Sequence, residues 1–207
     1  MTSAHDTAVA AFISELTEAV NPLDRGWVLA FEKVPRGVFV PYFFDQGPPD
    51  WRWRIVEPPD PAWSKAVYSR RPLGTQIDGD GSLADAARRE PVNGILTSSS
   101  SAPSLMAVML QALDVRDGDR VLEVGTGTGY NAALLSHRLG ASQVTTMEID
   151  PVIAEIAKTA LDAAGYPVTT IIGDGAAGWP AHAPYDRVIA TVAAYLGAVP
   201  YEWVRQT

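Results

Sequence analysis

The sequence predicts an α/β fold with a parallel sheet. From about residue 103 onward, short apolar segments with strand character alternate with helical patterns. The stretch VLEVGTGTGYNAALL, residues 121–135, is one such unit, because it runs from a β-branched segment through three alternating glycines into a helical pattern. This alternation favours parallel strands that are joined by right-handed crossovers.

The individual elements of this half follow from apolar periodicity and from end signals. Asp150 can cap the best-marked helix, Pro151 suits its first position, and Gly165 ends it. The pattern predicts further helices over residues 104–113, 131–139 and 199–205, and strands over residues 121–124, 144–148, 168–172 and 187–191.

The first 95 residues have a different character. An apolar stripe predicts an amphipathic helix that ends at Asn21-Pro22, and a second short helix is expected over residues 27–34. The stripe consists of Val9, Phe12, Ile13, Leu16 and Val20. Six prolines between residues 41 and 63 disfavour regular structure there. We therefore predict an N-terminal helical lobe with a Trp- and Pro-rich segment (residues 1–95) and an α/β core (residues 96–207).

Composition excludes several classes of protein. With 207 residues, 47% of them hydrophobic and 19% charged, the chain can bury a core. Its net charge of −8 opposes general binding to nucleic acid or anionic membranes. It contains no cysteine, which rules out disulfides, thiolate nucleophiles and Cys-ligated metals. Because the sequence has neither a signal-peptide pattern nor an apolar run of membrane-spanning length, we expect a cytoplasmic protein.

The glycine loop lies where ligands bind to such sheets, at the carboxyl end of a strand. Gly125, Gly127 and Gly129 leave the backbone accessible to a ligand, and the following helix offers free N–H groups. The spacing is GxGxG, whereas the dinucleotide fingerprint GxGxxG would need a small residue in place of Tyr130. Pyrophosphate binding is therefore disfavoured, and a plain tight turn is the alternative interpretation.

Three acidic residues stand at the predicted carboxyl ends of strands. Glu148 follows the glycine loop by about 20 residues, the usual spacing of a carboxylate that binds the hydroxyl groups of a ribose. Glu123 is placed for a ligand's ammonium group, and Asp174 for an exocyclic adenine amine. An ammonium, a ribose and an adenine in one crevice describe S-adenosylmethionine. For any single acid, the alternative role is the N-cap of the next helix.

Six segments together resemble the protein-L-isoaspartate O-methyltransferases. They are VPRGVFVP (34–41), SSSSAPSLMAVMLQAL (98–113), VLEVGTGTGY (121–130), VTTMEIDP (144–151), IIGDGAAG (171–178) and APYDRVIATVAA (183–194). The resemblance implies a Rossmann-like, S-adenosylmethionine-dependent methyltransferase sheet with helices on both faces. This cofactor-binding core (residues 96–207) would be preceded by the N-terminal lobe (residues 1–95), with the Trp- and Pro-rich segment on the substrate side. It also implies transfer of a methyl group to the α-carboxylate of an isoaspartyl residue.

The same resemblance implies roles for residues by their position. Ser101 occupies the place of the serine in the family's Thr-Ile-Ser-Ala/Gln-Pro motif, near the transferred methyl group, and is the expected catalytic residue. The expected cofactor-binding residues are Glu123, Gly125, Thr126, Gly127, Gly129, Glu148, Asp174 and Gly175, and the expected substrate-binding residues are Ser100, Ser101, Val192 and Ala193. The alternative for the serine run is a flexible loop that caps the next helix.

Such a reaction needs little acid-base chemistry. A carboxylate with an ordinary pKa near 4 is already nucleophilic at pH 7, and the sulfonium carries the reactive methyl group. The protein then has to place the two groups in line and exclude water. The three histidines, His5, His137 and His182, show no metal-ligand spacing, so we expect no metal site.

Three features depart from the family pattern. An insert at residues 51–71 carries five basic and two acidic residues, and it is either a Trp-anchored surface loop, a recognition element for an acidic peptide, or a stacking surface for nucleic acid. Ser99 and Ser100 replace the family's Thr-Ile. The chain ends at Thr207 after a predicted sheet of order 3-2-1-4, so we expect the sheet to lack its last strands and the chain to be a fragment.

The leading hypothesis is a carboxyl O-methyltransferase that uses S-adenosylmethionine and acts on isoaspartyl- or aspartyl-containing proteins or peptides, without a nucleic-acid or membrane partner. One alternative is a tailoring enzyme that esterifies aspartate in a ribosomally made peptide on the way to aspartimide. Two others are a non-catalytic module that binds cofactor or peptide, and a nicotinamide-dependent oxidoreductase. Tyr130 and Glu123 argue against the oxidoreductase.

Overall fold

The strands of the chain form two sheets, one antiparallel and one parallel. The computed structural model describes residues 4–193 and 197–207, with the backbone alone for residues 4 and 5. Within these residues each sheet has four strands. The antiparallel sheet is built by the first half of the chain and the parallel sheet by the second half.

Short helices and antiparallel strands make up the first half. Its helices are α1 (Ala4–Ala19), α2 (Arg25–Lys33), α3 (Arg36–Phe39), α4 (Pro61–Val67) and α5 (Ser82–Arg89). Its strands are β1 (Phe43–Gln46), β2 (Trp53–Val56), β3 (Leu73–Ile77) and β4 (Leu96–Ser100). They pair in the order β2-β1-β3-β4, so that β4 is an edge strand of this sheet. The two helices predicted for this half are confirmed as α1 and α2.

Strands and helices alternate in the second half. Its helices are α6 (Pro103–Leu113), α7 (Tyr130–Leu139), α8 (Pro151–Ala163) and α9 (Tyr201–Arg205), and its strands are β5 (Val121–Val124), β6 (Val144–Glu148), β7 (Thr169–Ile172) and β8 (Arg187–Ala190). The strands are parallel in the order β7-β6-β5-β8, which confirms the predicted order 3-2-1-4. Element bounds agree with the prediction to within about two residues.

The strand that leads into the glycine loop, β5, lies in the interior of the parallel sheet. It is buried along its whole length between β6 and β8. Val121 faces the largest hydrophobic cluster, while Leu122 and Val124 face a second cluster with Met147 and Tyr185. Because both faces of the strand are covered, its sequence is apolar except at Glu123.

The largest hydrophobic cluster joins the two halves of the chain. Phe12 of α1 and Phe31 of α2 lie in it together with Leu110 of α6 and Leu134 of α7. The rings of Phe12 and Phe31 meet edge to face with their centroids 6.3 Å apart. β4 falls within the predicted core range of residues 96–207, yet it pairs with β3. Because one sheet contains strands from both sides of residue 95, the predicted division of the chain there stays a prediction.

The expectation of irregular structure between residues 41 and 63 is wrong. β1 and β2 pair there as antiparallel strands, with Phe43 opposite Val56. The prolines lie outside the strands, since Pro41 precedes β1, the pair Pro48-Pro49 lies between the strands, and Pro61 is the first residue of α4. A proline removes a hydrogen-bond donor only where it stands, so the interiors of the strands remain paired.

The serine run is also regular, and the flexible-loop alternative is wrong. Residues 96–100 form β4, where Ser99 lies opposite Gly74 and Ser100 opposite Leu73 of β3. The next helix begins at Pro103 without a side-chain cap. Because β propensity depends strongly on context, pairing with β3 overrides the weak preference of serine.

The insert at residues 51–71 contains β2 and α4 and is anchored by tryptophan. The indole nitrogens of Trp53 and Trp63 each donate at 2.9 Å to a backbone carbonyl, of Gly94 and Val40 respectively. Its arginines form ion pairs. Arg52 and Arg54 pair with Asp50, Arg70 with Glu15, and Arg71 with Asp45. The structure favours the Trp-anchored interpretation over recognition by free positive charge.

Asp150, at the start of α8, connects the parallel half of the chain to the antiparallel sheet. Its Oδ1 accepts from the Val152 and Ile153 amides at 2.8 and 3.2 Å, and its Oδ2 accepts from Gln76 Nε2 on β3 at 2.9 Å. We expect Asp150→Ala to lower the unfolding free energy, measured by urea denaturation, by about 1–2 kcal/mol. The substitution removes both the cap of α8 and the hydrogen bond from Gln76.

Asp162→Ala is the matched control for this prediction. Asp162 forms an exposed pair with Lys158 on the same helix, so its loss should cost about 0.5 kcal/mol or less. Equal losses for the two variants would contradict the role given to Asp150.

Candidate active site

The glycine loop between β5 and α7 has left-handed backbone geometry. Gly125 and Gly127 have φ values of 94° and 52°. A Cβ on Gly125 would lie 2.4 Å from Val192 Cγ1, so the approach of the segment after β8 requires glycine there. A Cβ on Gly127 would meet only the Ser99 carbonyl oxygen, at 3.6 Å. Position 127 therefore faces a gap between the loop and β4.

Glu148 ends β6 and is hydrogen-bonded to the loop. Its Oε2 accepts from the Gly127 amide at 2.9 Å, and its Oε1 accepts from the Ile149 and Asp150 amides at 2.9 and 3.2 Å. The side chain is buried except for the part that lines both cavities described below. Glu148 is thus an anionic group held in place by backbone donors at the centre of the site.

The first cavity lies between β4 and the glycine loop and has a volume of about 570 Å³. Ser98, Ser99, Ser100 and Ser101 line it on the side of the N-terminal half. Residues 125–128 and Glu148 line it on the side of the parallel sheet. Its apolar lining includes Met106, Ile153 and Val192. The cavity therefore combines hydroxyl groups, backbone amides and apolar walls.

The second cavity lies farther along the carboxyl ends of the strands and has a volume of about 340 Å³. Asp174, Gly175 and Trp203 line it, and the Trp203 indole nitrogen donates to the Gly175 carbonyl at 2.8 Å. Asp174 is exposed, and its Oδ1 accepts from the Ala176 amide at 2.9 Å. The two cavities share Gly125, Glu148, Ile149, Val192 and Ala193. A single elongated ligand could therefore occupy both.

Glu123 lies beneath the loop and lines neither cavity. It is fully buried, and its two oxygens accept from Asn131 Nδ2 at 2.7 Å and Thr146 Oγ1 at 2.6 Å. The Thr146 hydroxyl is also 2.7 Å from that of Thr126 in the loop. Burial raises the pKa of Glu123 to about 7; the two hydrogen bonds oppose this shift and the charge of Glu148 adds to it.

Most of the predicted site residues come together around the two cavities. Gly125, Thr126, Gly127, Glu148, Ser100, Ser101, Val192 and Ala193 line the first, and Asp174 and Gly175 line the second. Gly129 lies behind the loop, where a Cβ would meet Leu161 at 3.2 Å. Gly129 and Glu123 therefore lie on the side of the loop that faces the protein core, away from the cavities. Direct contact of either residue with the cofactor stays a prediction.

The histidines lie apart from this site. His137 is 3.3 Å from the Tyr166 hydroxyl, His182 is 3.0 Å from that of Thr145, and the side chain of His5 is outside the described residues. In the described part of the chain, no three acidic or histidine side chains are grouped as metal binding would require. None of the helices in that part combines the length and apolar character needed to cross a membrane.

Comparison with known proteins identifies the family. The family model described as protein-L-isoaspartate(D-aspartate) O-methyltransferase matches residues 84–207, which is more than half of the chain. The chain belongs to this family. The family predicted from the six segments is thereby confirmed, although the segment at residues 34–41 lies outside the matched residues.

Curated relatives of the isoaspartate methyltransferase family match over a shorter stretch. A protein-L-isoaspartate O-methyltransferase of Ignicoccus hospitalis is 49% identical over 96 residues, which are 45% of this chain and 46% of that protein. One of Methanocella arvoryzae is 46% identical over 108 residues, which are 51% of this chain and 56% of that protein. The chain spans about half the length of the curated relatives it matches.

Solved structures confirm the Rossmann-like α/β fold. One of a protein-L-isoaspartate O-methyltransferase has a TM-score of 0.67 and 28% identity, and covers 96% of this chain and 51% of that chain. A Plasmodium falciparum structure described as a β-aspartate methyltransferase in complex with S-adenosyl-L-homocysteine has a TM-score of 0.63. The match covers 99% of this chain and 80% of that chain at 13% sequence identity, so it supports the fold alone.

Two residues of this isoaspartate methyltransferase family member were missed by sequence reasoning. Arg36 donates to Ser100 Oγ at 3.4 Å, and Trp203 lines the second cavity. Arg36 stands in the segment VPRGVFVP, where a lone charge among apolar residues was an available signal. For Trp203 the sequence held no comparable signal, because its neighbour Gly175 is distant in the chain.

The raised pKa of Glu123 predicts a pH dependence of stability. An acid whose pKa rises from 4.5 to about 7 on folding binds its proton more tightly when folded. The stability that protonated Glu123 contributes is therefore fully present below about pH 4.5, and it is lost as the pH rises through the folded-state pKa of about 7. Between pH 4.5 and 8, the unfolding free energy of the unliganded wild-type chain should fall by on the order of 3 kcal/mol relative to that of Glu123→Gln, as measured by urea unfolding.

Glu155→Gln provides the control, because Glu155 is exposed on α8. Its stability curve should run parallel to that of the wild type. If the Glu123→Gln curve also runs parallel, Glu123 does not change its protonation on folding.

Proposed function

We propose that the chain binds S-adenosylmethionine along the carboxyl ends of β5, β6 and β7 and transfers its methyl group to the carboxylate of an isoaspartyl residue in a protein or peptide. The observation that carries the proposal is the pair of cavities that meet at Glu148. One contains the glycine loop and the serines, and the other contains Asp174 and Trp203. Membership of the isoaspartate methyltransferase family supports the same chemistry.

The residues of the site fit the parts of this cofactor. The bare backbone at Gly125 and Gly127 would accommodate the methionine part beside the first cavity. The Glu148 carboxylate would accept from the ribose hydroxyls. Trp203 offers an aromatic wall for the adenine in the second cavity, and Asp174 offers an exposed acceptor for its amine.

Glu123 would support the cofactor's cationic end from beneath the loop. Through Thr146 it fixes the hydroxyl of Thr126, and through Asn131 it connects to the first turn of α7. A cation bound above the loop would favour the ionised form of this buried acid. We therefore assign Glu123 a positioning role in cofactor binding.

When bound, S-adenosylmethionine supplies an electrophilic methyl group on a sulfonium centre. The acceptor carboxylate is ionised at pH 7 and needs no general base. The chain's task is to bind and orient that carboxylate. Ser100 and Ser101 line the first cavity and would offer their hydroxyl groups to it. Met106, Ile153 and Val192 form apolar walls that limit access of water. The cytoplasmic location expected from the sequence is part of the same proposal.

The proposal is tested by transfer of labelled methyl from S-adenosylmethionine to matched isoaspartyl and aspartyl peptides. We expect label on the isoaspartyl peptide alone. Label on the aspartyl peptide alone would instead support the peptide-tailoring alternative. Cofactor binding without label on either peptide would overturn the proposed activity and favour a binding module.

Gly127→Val and Gly165→Val form a matched pair for a measurement of the equilibrium binding of S-adenosylmethionine. Both glycines have positive φ, at 52° and 81°, so valine strains the backbone at each position. Only at position 127 would the side chain enter the gap towards Ser99 in the first cavity. We expect Gly127→Val to weaken cofactor binding at least roughly tenfold and Gly165→Val to leave it unchanged.

A further inference from the structure

Arg36 is a buried cation next to the serines of β4. Its side chain is fully buried in α3, and its two terminal nitrogens donate to four carbonyls and one hydroxyl. The acceptors are Val67 O at 2.9 Å, Ser69 O at 3.1 Å, Arg71 O at 3.2 Å, Ser101 O at 3.2 Å and Ser100 Oγ at 3.4 Å. Arg36 thus connects the segment after α4 with the end of β4.

The charge of Arg36 has no acidic partner in the part of the chain that the structure describes. All five of its acceptors are neutral, and the ring of Tyr130 lies 5.8 Å from the guanidinium carbon. Burial lowers the pKa of Arg36 to about 10, so the group remains cationic at pH 7. Buried charges in proteins are normally paired, because an unpaired one loses its hydration without compensation.

Ser100 connects this charge to the first cavity. It is buried, it lines the cavity, and its oxygen accepts from Arg36 Nη2. A serine hydroxyl that accepts in this way still has one proton to donate. Within residues 4–193 and 197–207, no acceptor for that proton is found. The hydroxyl is therefore available as a donor to a ligand in the cavity.

We propose that Arg36 is a positioning residue that supplies, through Ser100, the counter-charge for the acceptor carboxylate in the first cavity. This inference rests on the proposed function and deepens it. The carboxylate is anionic before methyl transfer, whereas the ester formed from it is neutral. The site accordingly binds the isoaspartyl substrate in preference to its methyl ester, which favours release of the product.

The test compares equilibrium binding of an isoaspartyl peptide and of its methyl ester in the presence of S-adenosylhomocysteine. The wild-type chain should bind the acid at least roughly tenfold more tightly than the ester. Arg36→Met should bring this ratio close to one by weakening binding of the acid, while affinity for S-adenosylhomocysteine is retained. Arg36→Lys keeps the charge and should retain most of the preference, and Ser100→Ala should lose it.

Arg25→Met is the control, because Arg25 is an exposed cation at the start of α2 that lines neither cavity. It should leave the ratio unchanged. A merely structural Arg36 would lower the affinities for acid and ester equally, so an unchanged ratio in folded Arg36→Met would overturn the proposal. If circular dichroism shows that Arg36→Met does not fold, Ser100→Ala decides, and retention of the preference in that variant overturns the proposal.

Binding of neither peptide by the wild-type chain would overturn the proposed function together with this inference. Binding of acid and ester with equal affinity by the wild-type chain would overturn the inference alone.

Discussion

The site depends on the position of β5 between two parallel neighbours. Both neighbours hold the loop that follows it. The amides of Gly125 and Thr126 donate to the Met147 carbonyl at 2.8 and 3.1 Å, and the Thr191 hydroxyl donates to the Gly125 carbonyl at 2.6 Å. A loop held on both sides has little freedom, and at Gly125 it has no room for a side chain. The backbone at the end of β5 is therefore exposed in a fixed shape before any ligand binds.

The N-terminal half covers the same end of the sheet. β4 lies across the loop from Gly127, and Gln76 of β3 reaches the cap of α8 at Asp150. Thr97 of β4 in turn donates to the Gln76 Oε1 at 2.8 Å. The antiparallel sheet is thus attached beside the glycine loop by buried or half-buried polar contacts, and the first cavity is the space between the two sheets. Arg36 stabilises the end of β4 through its hydrogen bonds to Ser100 Oγ and the Ser101 carbonyl.

Much of the parallel half could be predicted from sequence because its signals are local. The Asp150-Pro151 start of α8 and the glycines after β5 each identify an element boundary within a few residues. The antiparallel sheet could not be predicted, because prolines lie close to β1 and β2, and because helices separate β3 in sequence from the strands that it pairs with. Burial of Glu123 and the contacts of Arg36 with β4 likewise depend on chain segments that are distant in sequence. Such contacts become visible only once the two sheets are in place.

The central claim is that one cofactor extends across both cavities, with Glu148 at the point where they meet. A crystal structure of this chain with S-adenosylhomocysteine tests it most directly. The account predicts continuous ligand density from the glycine loop to Trp203, with the ribose hydroxyls on Glu148 and the adenine in the second cavity. Density confined to one cavity, or an adenine located elsewhere on the chain, would contradict it.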